Sequence, residues 1–574
     1  MILLSGSSHR RRHTRGVFVT IIGLRFVEKF YGSRVVLRGV EMKVNAGARI
    51  GLVGGNGAGK STLLRVLAGF EGVHGGEVIQ RRRLRIAFLP QQVDGESRTA
   101  LEVVRAVRPE LTEVEGELSA CEAQLGAPEV ASDLRRMQRV LERQEQLVRR
   151  FTELGGHGFD GEARGYLRAL GLGEGDVDRP MAELSGVQRK LAVLASCLAQ
   201  RPDVLLLDEP EAHLDAERRE RLEALIRAFE GAVVIASHDR YLLDKTIGEI
   251  AELENGKVRS WPGNYSAYAL ARELEVKRRQ QLYVTQQKEI ARLEEAIRRF
   301  KQWAHVTEDE RHARQARNKR RQIERIDKVE RPVLQRRKIG LDLRSGVRGG
   351  RIVLELREVS VAFGGDPVLI GADLTVTRGE RLGIIGTNAA GKSVLAKVLA
   401  GVLPPTEGER WAGPSIEVGY LAQNHESPPG ATPLGLVRAA KPIYEDEAVK
   451  LLGNFLFRYE QIREPVGALS GGERTRLRLL LLMLPEPNCL VLDEPTNHLD
   501  IDSMEILEAQ LEPFPGTVVF VSHDRYFLDR IADGIVEVRD GELYRHEGGY
   551  SAVGRSAFLP VSQSVSDGRG YGTA

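Results

Sequence analysis

Residues 54–62 read Gly54, Gly55, Asn56, Gly57, Ala58, Gly59, Lys60, Ser61, Thr62, and they lie between an apolar, strand-like run, Arg49–Val53, and a helix-forming run. A glycine-rich loop in that setting suits phosphate. Its backbone N–H groups close around phosphate oxygens at a helix N-terminus, where the helix dipole favours negative charge. Lys60 is expected to reach the β and γ phosphates, and Ser61 to offer its hydroxyl to Mg²⁺. The pattern returns 332 residues later, after Arg381–Ile385, as Gly386, Thr387, Asn388, Ala389, Ala390, Gly391, Lys392, Ser393, Val394. Two occurrences in the same context make ATP and Mg²⁺ the expected cofactors of two sites.

The duplication extends well beyond the loops. An offset of 332 also carries Tyr31 onto Phe363 and Gln91 onto Gln423, whereas an offset of 285 carries Leu184–Gln188 onto Leu469–Glu473, Leu205–Pro210 onto Leu490–Pro495, and Ser237–Tyr241 onto Ser522–Tyr526. The first copy therefore holds about 47 extra residues between Gln91 and Ser185. Within that window Leu111, Val114, Leu118, Cys121 and Leu125 step by three and four, as do Leu134, Met137, Leu141, Gln144, Val148 and Phe151. Two amphipathic helices broken at Gly126-Ala127-Pro128 predict an antiparallel hairpin over about 105–155. Its first helix is acidic and its second basic, so much of that charge is expected to serve each other.

Between the copies the chain becomes long and charged. Residues 271–340 hold 21 Lys and Arg against 11 Asp and Glu, although the 574-residue chain carries only +3 in total. The remainder is thus slightly acidic and the linker strongly basic. Arg311, Arg314, Arg317, Arg321 and Arg325 recur at helical spacing along one stripe, and Leu293, Ile297, Phe300 and Ala304 form an apolar stripe upstream. Such a charge run is often a solvated face, but its confinement to one element favours a polyanionic partner.

Other classes are excluded more simply. Cys121, Cys197 and Cys489 lie far apart without metal-ligand spacing, which argues against a disulfide framework or a zinc site and fits a reducing cytoplasm. No run has the roughly 18 apolar residues of a membrane span. A soluble, cytoplasmic protein is therefore expected. The basic stretch His9–Arg15 reads as a disordered tail or an over-long start.

Strand-like runs end in Asp208 and Asp493, which would set a carboxylate near the metal, and the following Glu209 and Glu494 are candidates to polarise the attacking water. His238 and His523 follow the next apolar run, where they could hydrogen-bond the γ phosphate. Lys60, Gln91, the segments Ser185, Gly186, Val187, Gln188 and Ser470, Gly471, Gly472, Glu473, and the Asp-Glu pairs together resemble the ATP-binding cassette fold. More specifically, the chain resembles the F subfamily, by its two cassettes in one chain, its helical arm, its basic linker and Asp493–Asp500. The resemblance spans Ile21 to about Tyr550.

It implies an α/β architecture of two tandem P-loop ATP-binding cassette domains with an inserted helical-hairpin arm and a long two-helix linker. The implied boundaries are a basic tail 1–20, cassette one 21–266, linker 267–345, cassette two 350–552 and a disordered tail 553–574. It also implies that Tyr31 and Phe363 stack on adenine, that Gln91 and Gln423 sense the metal and γ phosphate, and that the signature of each domain closes over ATP held by the other within a monomer. Members act on the ribosome, the linker meeting ribosomal RNA and tRNA, in translation control or antibiotic resistance.

Several residues depart from the pattern. Val187 stands opposite Gly472, Ala389 opposite Gly57, Val394 opposite Thr62, and Glu211 and Ala212 opposite Thr496 and Asn497. The changes accumulate in the site pairing Lys392 with the first signature, so the site of Lys60 is expected to be the more active. Two other readings stay open, the motor of a transporter that recruits separate membrane subunits and a DNA-maintenance ATPase. The basic linker speaks against the first, and the absence of zinc-ligand cysteines or a very long coiled coil against the second.

Overall fold

The structure, a computed structural model, describes residues 19–127, 133–212, 214–307, 310–325, 350–422, 430–455, 457–469, 471–497 and 499–553. It divides into two compact units, Met1–His238 with Thr246–Ser260, and Asp239–Lys245 with Trp261–Ala574.

The first unit begins with β1 (Thr20–Tyr31), β2 (Arg34–Asn45), β3 (Arg49–Val53), α1 (Lys60–Ala68), β4 (Gly75–Gln80) and β5 (Ile86–Leu89). A helical part follows: α2 (Ala100–Arg105), α3 (Pro109–Leu125), α4 (Leu134–Glu153), α5 (Gly156–Ala169), α6 (Glu174–Val177) and α7 (Gly186–Ala199). The chain then alternates through β6 (Val204–Asp208), α8 (Ala216–Ala228), β7 (Ala232–Ala236), α9 (Arg240–Thr246), β8 (Glu249–Glu254) and β9 (Lys257–Pro262). Strands β2, β1 and β4 form a small antiparallel sheet, and the main sheet has the order β5-β6-β7-β3-β8-β9. From β5 to β8 the neighbours are parallel. Parallel strands are covered on both faces, which is why β6 and β7 are unbroken runs of Val, Leu, Ile and Ala with every residue before the terminal Asp208 apolar and buried.

The arm is the hairpin of α3 and α4. Pro109 opens α3, where its missing N–H costs nothing, and the Asp133 side chain caps α4 by accepting from the N–H groups of Arg135 and Arg136. Val114, Cys121 and Leu147 are buried between the helices, with Leu118, Val140, Phe151 and Leu154 packed against them. The α4 seam is thus rotated from the expected one. Leu141 and Val148 are exposed and Leu134 more so, while their neighbours Val140 and Leu147 face the partner helix. Both adjacent pairs are apolar, so spacing alone does not choose between them. Arg143 reaches Glu117 across the helices at 2.5 Å.

The second unit contains the long α10 (Tyr265–Thr307) and α11 (Glu310–Glu324), where Leu293 and Ala316 are buried. At 1.5 Å per residue, the 43 residues of α10 span roughly 65 Å. The fold of the first unit then recurs, with β10 (Ile352–Phe363), β11 (Asp366–Thr377), β12 (Arg381–Gly386), α12 (Lys392–Ala400), β13 (Glu407–Ala412) and β14 (Val418–Leu421). After the helices α13 (Pro433–Ala440), α14 (Glu445–Asn454), α15 (Tyr459–Arg463) and α16 (Gly471–Met483) come β15 (Cys489–Asp493), α17 (Ile501–Leu511), β16 (Thr517–Val521), α18 (Arg525–Ile531), β17 (Gly534–Arg539), β18 (Glu542–Glu547) and α19 (Tyr550–Val553). The sheets β11-β10-β13 and β14-β15-β16-β12-β17-β18 repeat the earlier orders strand for strand.

This unit is also knit by buried charge. Glu508 on α17 is fully buried and accepts from Arg240 and, at 2.7 Å, from Arg530. Arg240 lies 3.3 Å from Asp524, and its guanidinium sits 4.1 Å from the centre of the Tyr526 ring. All three cysteines are buried thiols, and burial pushes those of Cys197 and Cys489 up to about 12. Among the described residues no helix is long and apolar enough to cross a membrane.

Removing one member of a buried charge pair strands the other, at about 3–5 kcal/mol. Glu508→Ala is therefore expected to destabilise the second unit by that order and so lower its denaturation midpoint, and Glu508→Gln by less. Calorimetry of the full chain measures it, and an unchanged transition would show that Asp524 alone suffices for Arg240.

Candidate functional site

Each candidate site assembles where parallel strands end. In the first unit β3 runs into Gly54, β5 into Pro90 and Gln91, β6 into Asp208 and Glu209, and β7 into Ser237 and His238. Because β5, β6, β7 and β3 are consecutive neighbours, these residues share one edge of the sheet. Ligands of open α/β sheets bind at that carboxyl edge.

The loop is shaped by glycine at two points above all. Gly54 has φ +155°, and a Cβ there would collide with the carbonyl oxygen of Leu253; Gly386 has φ +151°, with its would-be Cβ 2.5 Å from the Val538 carbonyl oxygen. At Gly57, φ +74°, a Cβ would meet only Arg34 at 3.5 Å. Its counterpart Ala389 does adopt φ +66°. This left-handed turn costs an alanine roughly 1–2 kcal/mol but creates no clash.

Lys60 and Lys392 are buried at the starts of α1 and α12. Lys60 Nζ donates to the carbonyls of Gly54 at 2.7 Å and Gly55 at 3.2 Å, and Lys392 Nζ to those of Gly386 at 3.0 Å and Thr387 at 2.7 Å. The loop's own carbonyls thus hold a cation at the N-terminus of each helix. Ser393 donates to Asp493 Oδ1 at 3.0 Å, and in the first unit Ser61 favours the ionised form of Asp208. Burial raises both aspartates above the usual carboxylate range, while Ser61 or Ser393 and nearby lysines pull the other way. Asp208 Oδ1 is buried and accepts no hydrogen bond. Among the described residues no cluster of three or more His, Cys, Asp or Glu could hold a metal alone. Mg²⁺ commonly takes one or two carboxylates together with substrate phosphates, so a Ser, a Gln and one Asp with an uncommitted oxygen fit it.

Glu209 and Glu494 share an unusual backbone, φ +48° and +50°, and each donates its N–H to the next strand, to Ala236 at 2.8 Å and Val521 at 3.0 Å. Left-handed non-glycine residues cost on the order of 1–3 kcal/mol and collect at functional sites. The Gln91 amide donates to Glu209 Oε2 at 2.9 Å, and His238 Nε2 lies 3.8 Å from Oε1. His523 Nε2 lies 3.5 Å from Glu494 Oε1. Gln423 falls outside the described residues, as does Ser470.

The first signature opens α7. Ser185 caps it by accepting from the Gln188 N–H at 3.3 Å, and the Gln188 carboxamide accepts the Ser185 N–H at 2.9 Å. Gly186 and Val187 follow in the first turn, and Gly471, Gly472 and Glu473 open α16. Tyr31 and Phe363 end their strands half exposed, at 44% and 51%. Their settings differ, since the Tyr31 hydroxyl donates to Glu71, which also pairs with Lys29 at 3.3 Å, whereas Phe363 has no such group to offer.

Two participants are not evident from motif reading. Lys190 is buried and donates to the Glu209 carbonyl, and Glu211 Oε1 accepts from the Ser237 hydroxyl at 2.5 Å and the His238 N–H at 3.2 Å. The available signal was the internal repeat, which sets both positions against threonines, Thr475 and Thr496.

Comparison with known proteins follows the same lines. The profile of the family described as ABC transporter matches residues 37–212 and 369–497, and a second profile with that description matches 251–341. The chain is 34% identical over 536 residues to ABC transporter F family member 5 of Arabidopsis thaliana, covering 92% of this chain and 76% of that one. It is 34% identical over 531 residues to the energy-dependent translational throttle protein EttA of Haemophilus influenzae, covering 90% and 92%. Among solved structures, one titled RNase-L Inhibitor aligns at TM-score 0.58 and 18% identity, over 93% of this chain and 92% of that one, a likeness of fold.

The two loops make a graded prediction. Gly54→Ala is expected to abolish ATP binding at its site, because the added methyl meets backbone, whereas Gly57→Ala should keep affinity within about thirtyfold, its strain being roughly 1–2 kcal/mol. Titration with a fluorescent ATP analogue, the second site disabled by Lys392→Ala, reads both. Equal losses would contradict the geometry.

Proposed function

The chain belongs to the F family of ABC transporter proteins and is a tandem-cassette ATPase, and from that premise we propose that it is an ATP-driven switch acting on ribosomal and transfer RNA. The observation that carries this reading is the basic stripe. Arg311, Arg314, Arg317 and Arg321 are exposed along α11 and Arg325 just beyond it, in a chain whose remainder is slightly acidic. Neutralising phosphate releases counterions, so such a stripe gives affinity for any folded RNA, and the ribosome is the partner that the family resemblance supplies. The relative named a translational throttle supports translation as the process. The protein would act as a cytoplasmic monomer.

In each site the residues have separable tasks. Lys60 and Lys392 exchange the loop carbonyls for β and γ phosphate oxygens. Ser61, Asp208 and Gln91 in the first site, and Ser393, Asp493 and Gln423 in the second, would hold Mg²⁺, which when bound neutralises charge on the phosphates. Glu209 and Glu494 accept the proton of the attacking water, and His238 and His523 bond the γ phosphate. Tyr31 and Phe363 offer ring faces to the base. ATP binding favours the RNA-engaged form and hydrolysis releases it.

Glu209→Gln with Glu494→Gln removes both bases and is expected to lower turnover by roughly 10²- to 10⁴-fold while ATP still binds. Parental turnover in the double variant would overturn the assignment. For the partner, replacing Arg314, Arg317 and Arg321 with Gln, which has similar helix propensity, should weaken binding to purified 70S ribosomes and flatten its salt dependence, with basal ATPase activity unchanged. Unchanged affinity at two salt concentrations would leave the stripe a solvated face and remove the main support for an RNA partner.

A further inference from the structure

The two copies differ at two positions that flank the catalytic glutamate. In the first unit Lys190 and Glu211 are both buried, at 6% exposure each. In the second the same positions are Thr475 and Thr496. Thr496 makes a neutral hydroxyl contact with Ser522 at 3.1 Å, in the place where Glu211 binds the Ser237 hydroxyl and the His238 N–H. A buried carboxylate without a countercharge is costly, and so is a buried ammonium. Burial disfavours the charged form of Lys190, and the negative charge of Glu211 opposes that more than those of Glu209 and Asp208 do. Its Nζ is also bonded to the carbonyl of Glu209, the residue held at φ +48°.

We infer that Lys190 and Glu211 form a coupled positioning pair of the first site, Lys190 anchoring the peptide after Glu209 and Glu211 anchoring the loop that carries His238. The pair thereby fixes the spacing between the base and the γ-phosphate-facing histidine, 3.8 Å here between Glu209 Oε1 and His238 Nε2. Bonds from an ionised group are shorter and roughly twice as strong as neutral ones, so this linkage is stiffer than the hydroxyl contact of the second unit. Neither residue touches ATP in this scheme. Their effect is on kcat through the placement of Glu209, with little on KM. The inference rests on Glu209 being the base.

The experiment uses the full chain carrying Glu494→Gln, so that turnover reports the first site. Adding Glu209→Gln to this parent must abolish the remaining activity; if it does not, the assignment of the base fails, whatever the pair does. In the same parent, Lys190→Thr and Glu211→Thr are each expected to lower kcat by roughly 10- to 100-fold, the scale of a misplacement on the order of 1 Å, with KM within about threefold. The double change Lys190→Thr with Glu211→Thr recreates the threonine pair and is expected to recover most of the loss, and Lys190→Arg, which keeps the charge, should lose little. Binding of a fluorescent ATP analogue verifies that each variant is folded. Singles equal to the parent, or a double variant whose loss is the product of the singles, would overturn the coupled pair while leaving the base assignment standing. Should a single variant fail to bind ATP, Lys190→Arg and the double variant still decide the matter, since a coupled pair requires both to be active.

Discussion

The place where a buried central strand stops governs both sites. Strands β3 and β12 run through the middle of sheets covered on both faces, and each must turn out of its sheet against the backbone of a neighbouring strand, Leu253 in one unit and Val538 in the other. Only a residue without a side chain fits between, so Gly54 and Gly386 set the direction of everything that follows. The loop carbonyls then face inward on Lys60 and Lys392, and the next turn begins a helix. The acidic and histidine residues come from adjacent strands of the same sheet, and their distances from the loop are therefore set by strand spacing.

Within that frame, stored strain marks the chemistry. Glu209 and Glu494 occupy a backbone region that glutamate disfavours, in two units that reached the same geometry with different neighbours. The duplication works as an internal control. Ala389 demonstrates which loop glycine can carry a methyl group, and the threonines at 475 and 496 demonstrate that the charged pair of the first unit is an alternative to a neutral solution and no requirement of the fold.

Charge is handled differently in different places. Buried carboxylates are held by donors, Glu508 by the guanidinium groups of Arg240 and Arg530 and Glu211 by the Ser237 hydroxyl and the His238 N–H, because ionisation away from water would otherwise be costly. The exposed pairs of the arm, such as Arg143 with Glu117, are in solvent and add little. The arginines of α11 are exposed and gathered in one stripe.

The sequence by itself determined the two-cassette α/β fold, the arm and the helical linker, because phosphate loops, buried parallel strands and amphipathic helices each leave a local signature. The gathering of Lys60, Asp208, Glu209 and His238 was legible too, since each motif follows directly on an apolar strand-like run and the ends of parallel strands share one edge of the sheet. Tertiary structure decided what local pattern leaves degenerate. Whether Val140 and Leu147 or their neighbours Leu141 and Val148 line the arm seam depends on a rotation of about 100°, one residue of helix, and only the partner helix selects it. Residues 239–245 group with the second unit through Arg240, whose partners Glu508 and Asp524 lie more than 260 residues away in sequence. Lys190 looks like any helical lysine until the fold brings it to the carbonyl of Glu209, because a buried charge is identified by what surrounds it, and those surroundings come from distant parts of the chain.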